Sequence, residues 1–419
     1  MPVDFDPISP TWRDDPYPRY RELRDRAPLH QSPDTGFWFV SRYEDVLAVL
    51  RDHDTFSSGA MMTQLMLGGE KKPPVTPRSL WFAARLLWTS RINPFELPRV
   101  PSLIASDGER HAGLRAIVNR GFTPRRITAW EARAREIVRD CLASASAGEL
   151  DVVRDLAVPL PVTIIAEMLG IEPDRRHDFK RWSDIIVNNA SGAGRADPFG
   201  PVVLDAFAEM TRYVVTISRE RRAAPADDLI SQLVTGGGEG GALSPIEVVQ
   251  FVGLLLVAGN ETTTNLIGNA SAALLAHPDQ LARVADDPGL VPGLVEETVR
   301  FDAPVQLVFR DALRDVEIAG GRLPAGSTVV ALIGSANRDE RRFPEPDRFD
   351  VGRNPVGHLG FGFGKHFCLG ASLARLQARV ALEALIPELV RRDCPEPRPP
   401  RIDSFLVRGP SRLPLRRAA

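Results

Sequence analysis

Phe361 to Arg375 reads FGFGKHFCLGASLAR, and it sets one cysteine, Cys368, between a glycine-rich turn and a helix. Phe361, Gly362 and Gly364 precede the sulfur and Gly370 follows it. From Ala371 the apolar positions Leu373, Leu376, Val380, Leu382, Leu385, Ile386 and Leu389 recur at helical spacing. Cys368 is therefore predicted to stand just before a helix N-terminus. There the unpaired backbone N–H groups and the positive end of the helix dipole favour a thiolate over a thiol. A thiolate is a strong ligand for soft metals. Without such surroundings a lone cysteine is a small buried hydrophobe. Glycines 362, 364 and 370 admit close approach and backbone conformations that a Cβ resists, which suits a loop wrapped against a flat, bulky ligand.

The string resembles the haem-binding loop of the cytochrome P450 family, FxxGxxxCxG, at Phe361, Gly364, Cys368 and Gly370. By that resemblance Cys368 is the proximal thiolate ligand of the iron of haem b, and Phe361, Gly362 and Gly370 line the cofactor. Thiolate push toward O–O cleavage is a general property of that family rather than a reading of this sequence. His366, two residues before the sulfur, is expected to contact a haem propionate.

Upstream, Ser244-Pro245-Ile246-Glu247 is a capping box with proline at the first helical position. The helix it opens is predicted to run to about Ala276, before Pro278, a rod of roughly 48 Å at ~1.5 Å per residue. Within it Ala258-Gly259-Asn260-Glu261-Thr262-Thr263-Thr264 puts a glycine and β-branched threonines where helix formers belong. The glycine alone costs ~1 kcal/mol against alanine. Such conflicts are expected where function overrides stability. Read structurally, Thr262 bonds back to the Ala258 carbonyl and bends the helix. Read functionally, a loosened turn beside Gly259 also leaves room for a diatomic ligand.

This stretch resembles the P450 motif A-G-x-[D/E]-T-[T/S] at Ala258, Gly259, Glu261, Thr262 and Thr263. The resemblance places Ala258 and Gly259 against the cofactor and Leu255 against substrate. It makes Thr262 a hydrogen-bond partner of the oxygen being activated. Glu261, where many relatives carry aspartate, becomes the proton relay. The chemistry asks for this: heterolytic O–O cleavage needs two protons delivered while bulk water is held back.

Asp107 to Phe122 reads as a helix with His111 and Arg115 on one face. Alone, that pair is a solvated surface. By resemblance to the family's HxxxR helix the two hold a haem propionate through charge-assisted hydrogen bonds. Arg120, Arg125 and Arg126 follow, and the resemblance makes this basic run a docking face for an acidic ferredoxin. Glu297 and Arg300, three apart in VPGLVEETVR, form an ExxR pair that is common on surfaces and weak there. In the family it joins an arginine ahead of the haem loop, here Arg348, in a structural role. Arg310 matches the second propionate-binding arginine. Val305, Leu307 and Val308 are expected to line an apolar substrate wall, with Phe405 from the tail either touching substrate or packing.

The chain has 419 residues, 43% hydrophobic and 25% charged, with no linker-like shift in composition, so one domain spanning 1–419 is expected. A net charge of -2 argues against nucleic acid as partner. Three cysteines fit a reducing cytoplasm rather than a disulfide framework. The acidic, proline-rich start lacks a signal or transit pattern, and no segment approaches the ~18 apolar residues of a span. A cytoplasmic monomer without a membrane anchor is expected. A long Met- and Trp-rich stretch, 59–106, reads either as a satellite core or as a lid over an apolar pocket.

The resemblance covers nearly the whole chain and its motifs occur in the family's order. It implies a mainly α fold with small β-sheets, haem lying between the threonine-bearing long helix and the cysteine helix. The function it implies is monooxygenation of a small apolar organic substrate by O2, with electrons from a ferredoxin and an NAD(P)H-dependent ferredoxin reductase. A peroxide-driven haem-thiolate peroxygenase and a haem-based sensor are the alternatives. The first has no need of Glu261 and Thr262 as a relay, and the second would not turn over.

Overall fold

The computed structural model describes residues 12, 14–59, 77, 80–81, 84, 87–88, 100, 102–145, 149–190, 200–236, 241–396 and 398–417. The chain forms two compact units, each gathered from separate stretches: residues 1–58, 127–161 and 262–419 in one, 59–126 and 162–261 in the other. The lid expected over 59–106 falls largely outside the described residues, including Met61, Met62, Met66, Phe82 and Phe95, while Trp81 and Trp88 are exposed.

The first unit holds the described strands. Trp38–Val40 pairs antiparallel with Leu29–Gln31 and parallel with Thr328–Ala331, which pairs antiparallel with Val308–Ala312; Phe56–Ser57 closes the sheet. Helix Tyr43–Arg51 follows the second strand and turns Val46, Val49 and Leu50, an i, i+3, i+4 stripe, into the core beneath the sheet. Burying each contributes ~1.5–3 kcal/mol. Between Val316 and Asn337 the chain is strand only to Ala331. A hairpin of Val316–Ile318 and Gly321–Leu323 turns through Ala319 and Gly320, both at positive φ. Beyond it Ile333–Ala336 is helical.

Helix Ala371–Arg391 is the axis of this unit, packed by helices Glu131–Ser144, Thr262–Ala276, Pro278–Asp286 and Val291–Phe301. Around Phe405 the chain makes two isolated bridges, Val305 to Val407 and Arg401 to Pro410. The chain then ends in strand Pro414–Arg417, between Glu149–Asp151 and Arg392–Asp393.

The second unit is helical among its described residues. Helix Pro201–Ala223 packs against Arg176–Ala190 and Pro245–Leu255. Ser244 and Glu247 form the predicted capping box. After Leu255 the helix passes into a π-turn over Leu256–Glu261, then resumes α geometry over Thr262–Ala276.

Candidate active site

The cysteine loop is shaped by its glycines. Gly362 and Gly364 lie at φ 73° and 69°, conformations that side chains resist, so two tight turns bring the Cys368 N–H to the Phe361 carbonyl at 2.9 Å. A Cβ on Gly364 would come within 2.9 Å of His53 Nε2 and 3.3 Å of the Leu50 carbonyl. Gly370 differs from expectation. Its φ is -86°, open to any residue, and a Cβ there would meet nothing within 4 Å. What its missing side chain leaves is space, two residues from the sulfur. Cys368 itself is exposed, three residues ahead of helix Ala371–Arg391. His366 Nε2 lies 3.0 Å from Ser58 Oγ, and its ring is 5.5 Å from that of His53.

Behind the loop lies a fully buried ion pair. Glu297 and Arg300, both without exposed side-chain surface, share two hydrogen bonds of 2.7 and 2.8 Å. The remaining guanidinium donors reach the carbonyls of Asn337, Pro346 and Arg348. Arg348 does not join through its side chain, as the sequence reading expected. That side chain is half exposed and turns to Glu345 and Asp350. The arginine that meets Glu297 is Arg353, whose Nε lies 3.2 Å from Oε1 while its other nitrogens bond three carbonyls. The chain bends between the two positions, so Arg348 points outward and Arg353 inward.

Two further residues seat the loop. Asn337 Oδ1 accepts from Leu359 N at 2.7 Å while its Nδ2 donates to the Val299 carbonyl. Glu296 accepts from His358 Nε2 at 2.9 Å and from Arg375 at 2.6 and 2.9 Å. Burial alone would raise the Glu296 carboxyl, yet hydrogen bonds from Arg375 and His358 hold it at about 2. Arg375 also lies 4.3 Å over the Phe361 ring.

Strand Val308–Ala312 carries Arg310, which is 4% exposed and donates through Nη1 to the Phe309 carbonyl. Of the expected apolar wall, Val305 and Val308 keep open surface, whereas Leu307 is 1% exposed and belongs to the core. Phe405 packs edge-on against Phe309, the packing alternative.

In the second unit the π-turn shows which helical positions face open space. Ala258 is exposed, with Leu255 and Glu261 half-buried. On the side a Cβ at Gly259 would take, the turn is packed: that Cβ would lie 2.6 Å from Ile165 Cδ1 of helix Pro159–Leu169, while Gly259 itself stays half-buried beside the exposed Ala258. Asn260, on the packed side, is buried and bonds Ser183. Burial pushes the Glu261 carboxyl up to about 7. In the same unit His111 is buried and Arg115 half-buried on helix Gly108–Asn119. Thr262, in the first unit, is half-buried at the start of the resumed α-helix.

Residues 289–416 match the family model described as Cytochrome P450. Vitamin D(3) 25-hydroxylase of Pseudonocardia autotrophica is 36% identical over 427 residues, covering 98% of this chain and 96% of its own. The chain belongs to the cytochrome P450 family. The P450 monooxygenase PikC of Streptomyces venezuelae is also 36% identical, with 99% and 94% covered. The structure of P450 CYP109Q5 from Chondromyces apiculatus superposes with a TM-score of 0.85 at 39% identity, covering 100% of this chain and 99% of that one. This P450 is therefore a monooxygenase, an iron-containing haem oxidoreductase that needs O2 and redox partners.

The residues present fit a haem. One sulfur cannot hold a bare ion, and among the described residues no group of three or more His, Cys, Asp or Glu could complete a coordination sphere. A lone sulfur beside the space left by Gly370 suits an iron that brings its other ligands with it. No described helix is long and apolar enough to cross a membrane. Sequence reasoning missed Arg353, Asn337, Glu296, Ile165 and Ser183. Only Arg353 left a signal, as a second arginine after FDV at Phe349 to Val351.

Proposed function

We propose that this P450 inserts one atom of O2 into an apolar organic substrate by hydroxylation or epoxidation, drawing electrons from a ferredoxin and an NAD(P)H-dependent ferredoxin reductase. Its haem is haem b, with Cys368 as the iron ligand. Arg310, His366, His111 and Arg115 would hold the propionates through charge-assisted hydrogen bonds. When bound, the haem supplies the redox activation of O2.

The observation that carries this reading is Glu261. An acid at about 7 both gives and takes a proton at neutral pH, and it stands next to the Thr262 hydroxyl in sequence on a helix whose geometry is broken there. Glu261 passes protons inward, and Thr262 orients the group that receives them. Leu255 in one unit and Val305 and Val308 in the other keep part of their apolar surface open, which suits an apolar substrate. One relative is named for hydroxylating vitamin D(3), which supports an apolar substrate.

The test is spectral and kinetic. Reduced protein with carbon monoxide should show the red-shifted absorbance of sulfur ligation, and Cys368→Ser should abolish it; persistence in the serine variant would sink the assignment. Thr262→Ala should keep haem but release more peroxide per NAD(P)H, and unchanged coupling would remove Thr262 from its role. Turnover with ferredoxin should slow as salt rises.

A further inference from the structure

The π-turn that carries Glu261 is gripped from behind by residues that the reading above does not use. Asn260 is 4% exposed and donates from Nδ2 to Ser183 Oγ at 2.8 Å. Its Oδ1 is equally enclosed and has no hydrogen-bond partner. Turning the amide over would exchange the atom left over without removing the deficit.

Ser183 is 2% exposed and firmly held. Its neighbour Trp182 has no exposed surface and donates its indole N–H to Glu209 at 3.2 Å, where Arg181 also donates at 2.6 Å. Ile165 closes the same side of the turn at Gly259. Buried polar groups are normally paired, and a half-satisfied pair is a worse core than an apolar one. Leucine at 260 would pack there without an orphaned oxygen. An amide in that place costs stability, so its use is positional.

We infer that Ser183 and Asn260 are positioning residues: their hydrogen bond pins the π-turn to helix Arg176–Ala190 and so fixes where Glu261 stands. The functional weight of the pin rests on Glu261 serving as proton relay; the pin itself does not.

Four proteins decide it: wild type, Ser183→Ala, the double variant Ser183→Ala with Asn260→Leu, and Ser183→Thr. Each is read by thermal melting, by amide exchange over residues 256–261, and by peroxide released per NAD(P)H. Ser183→Ala should lower Tm, speed exchange in the turn about tenfold and raise the peroxide share. The double variant should recover most of the lost Tm, because it removes both partners of the buried bond. Exchange should nevertheless stay fast and the peroxide share high. Ser183→Thr, which keeps the oxygen, should exchange like wild type.

If exchange and peroxide share return to wild-type values together with Tm in the double variant, the pair is packing alone and the inference falls. A peroxide share unchanged in both variants overturns it equally. Should wild type itself show no turnover, the proposed monooxygenation fails, while slow exchange in the turn with rescue by Ser183→Thr would still establish the pin.

Discussion

The loop around Cys368 and the turn around Glu261 are built on opposite rules. Behind the cysteine loop the polar groups are paired and hydrogen-bonded: buried Glu297 with Arg300 and Arg353, partly open Glu296 with Arg375 and His358, the Asn337 amide with two backbone groups. In the π-turn, burial raises Glu261 to about 7 and Asn260 keeps an unpartnered oxygen. The first arrangement seats the loop that carries Cys368, the proposed iron ligand. The second suits the proposed proton relay, since a fully satisfied carboxylate would neither take nor release a proton near neutrality.

The contrast breaks most sharply at the buried pair. Arg300→Leu leaves Glu297 charged and enclosed with Arg353 as its remaining guanidinium, and should cost about 3–5 kcal/mol in a urea melt. Arg353→Ala should cost about 2 kcal/mol by removing one bond to the carboxylate and three to carbonyls. Arg348→Ala, at a half-exposed side chain, should stay within about 0.5 kcal/mol. If Arg348→Ala proved the more damaging of the two, the structural assignment of Arg353 would be wrong.

Much of this molecule was legible in the sequence because its signals are local. The capping box at Ser244 and the helix after Cys368 both follow from residues within one or two turns of each other. The misses are contacts between distant segments. The family resemblance pointed to Arg348, and only the bend of the chain brings Arg353 inward. No local rule shows that Ile165 packs against the Cβ side of Gly259. The π geometry of 256–261 was readable as a conflict of propensities but not as a particular helix type.

Glu296 tests the cysteine side by pH. Its folded value, about 2, is below the ordinary 4.5, so its bonds stabilise the protein fully above about pH 4.5, and that stability is lost as pH falls toward 2. Glu296→Gln should cost about 1 kcal/mol at pH 7, allowing for solvent around a partly open carboxylate, and the cost should fade in acid. A loss that did not fade would mean packing, not charge. On the other side, Gly259→Ala should cost about 1 kcal/mol, the low end for overpacking, since only the tip of Ile165 must move. Adding Ile165→Val removes that tip and should recover most of the loss. Failure to recover would show that the glycine is needed for the backbone rather than for the space.

The effect at Glu261 is the most informative about the turn. Below about pH 4.5 Glu261 is protonated whether the chain is folded or not, so its burial costs nothing there. Between 4.5 and about 7 the unfolded chain releases its proton first, and the folded state loses ground until the folded carboxyl also ionises. Above about 7 the loss is complete. Glu261→Gln, which cannot ionise, should therefore raise Tm more at pH 8 than at pH 5, while slowing product formation at both. An equal rise at the two pH values would mean that the acid is not desolvated, and the turn would then be as well satisfied as the loop around the sulfur.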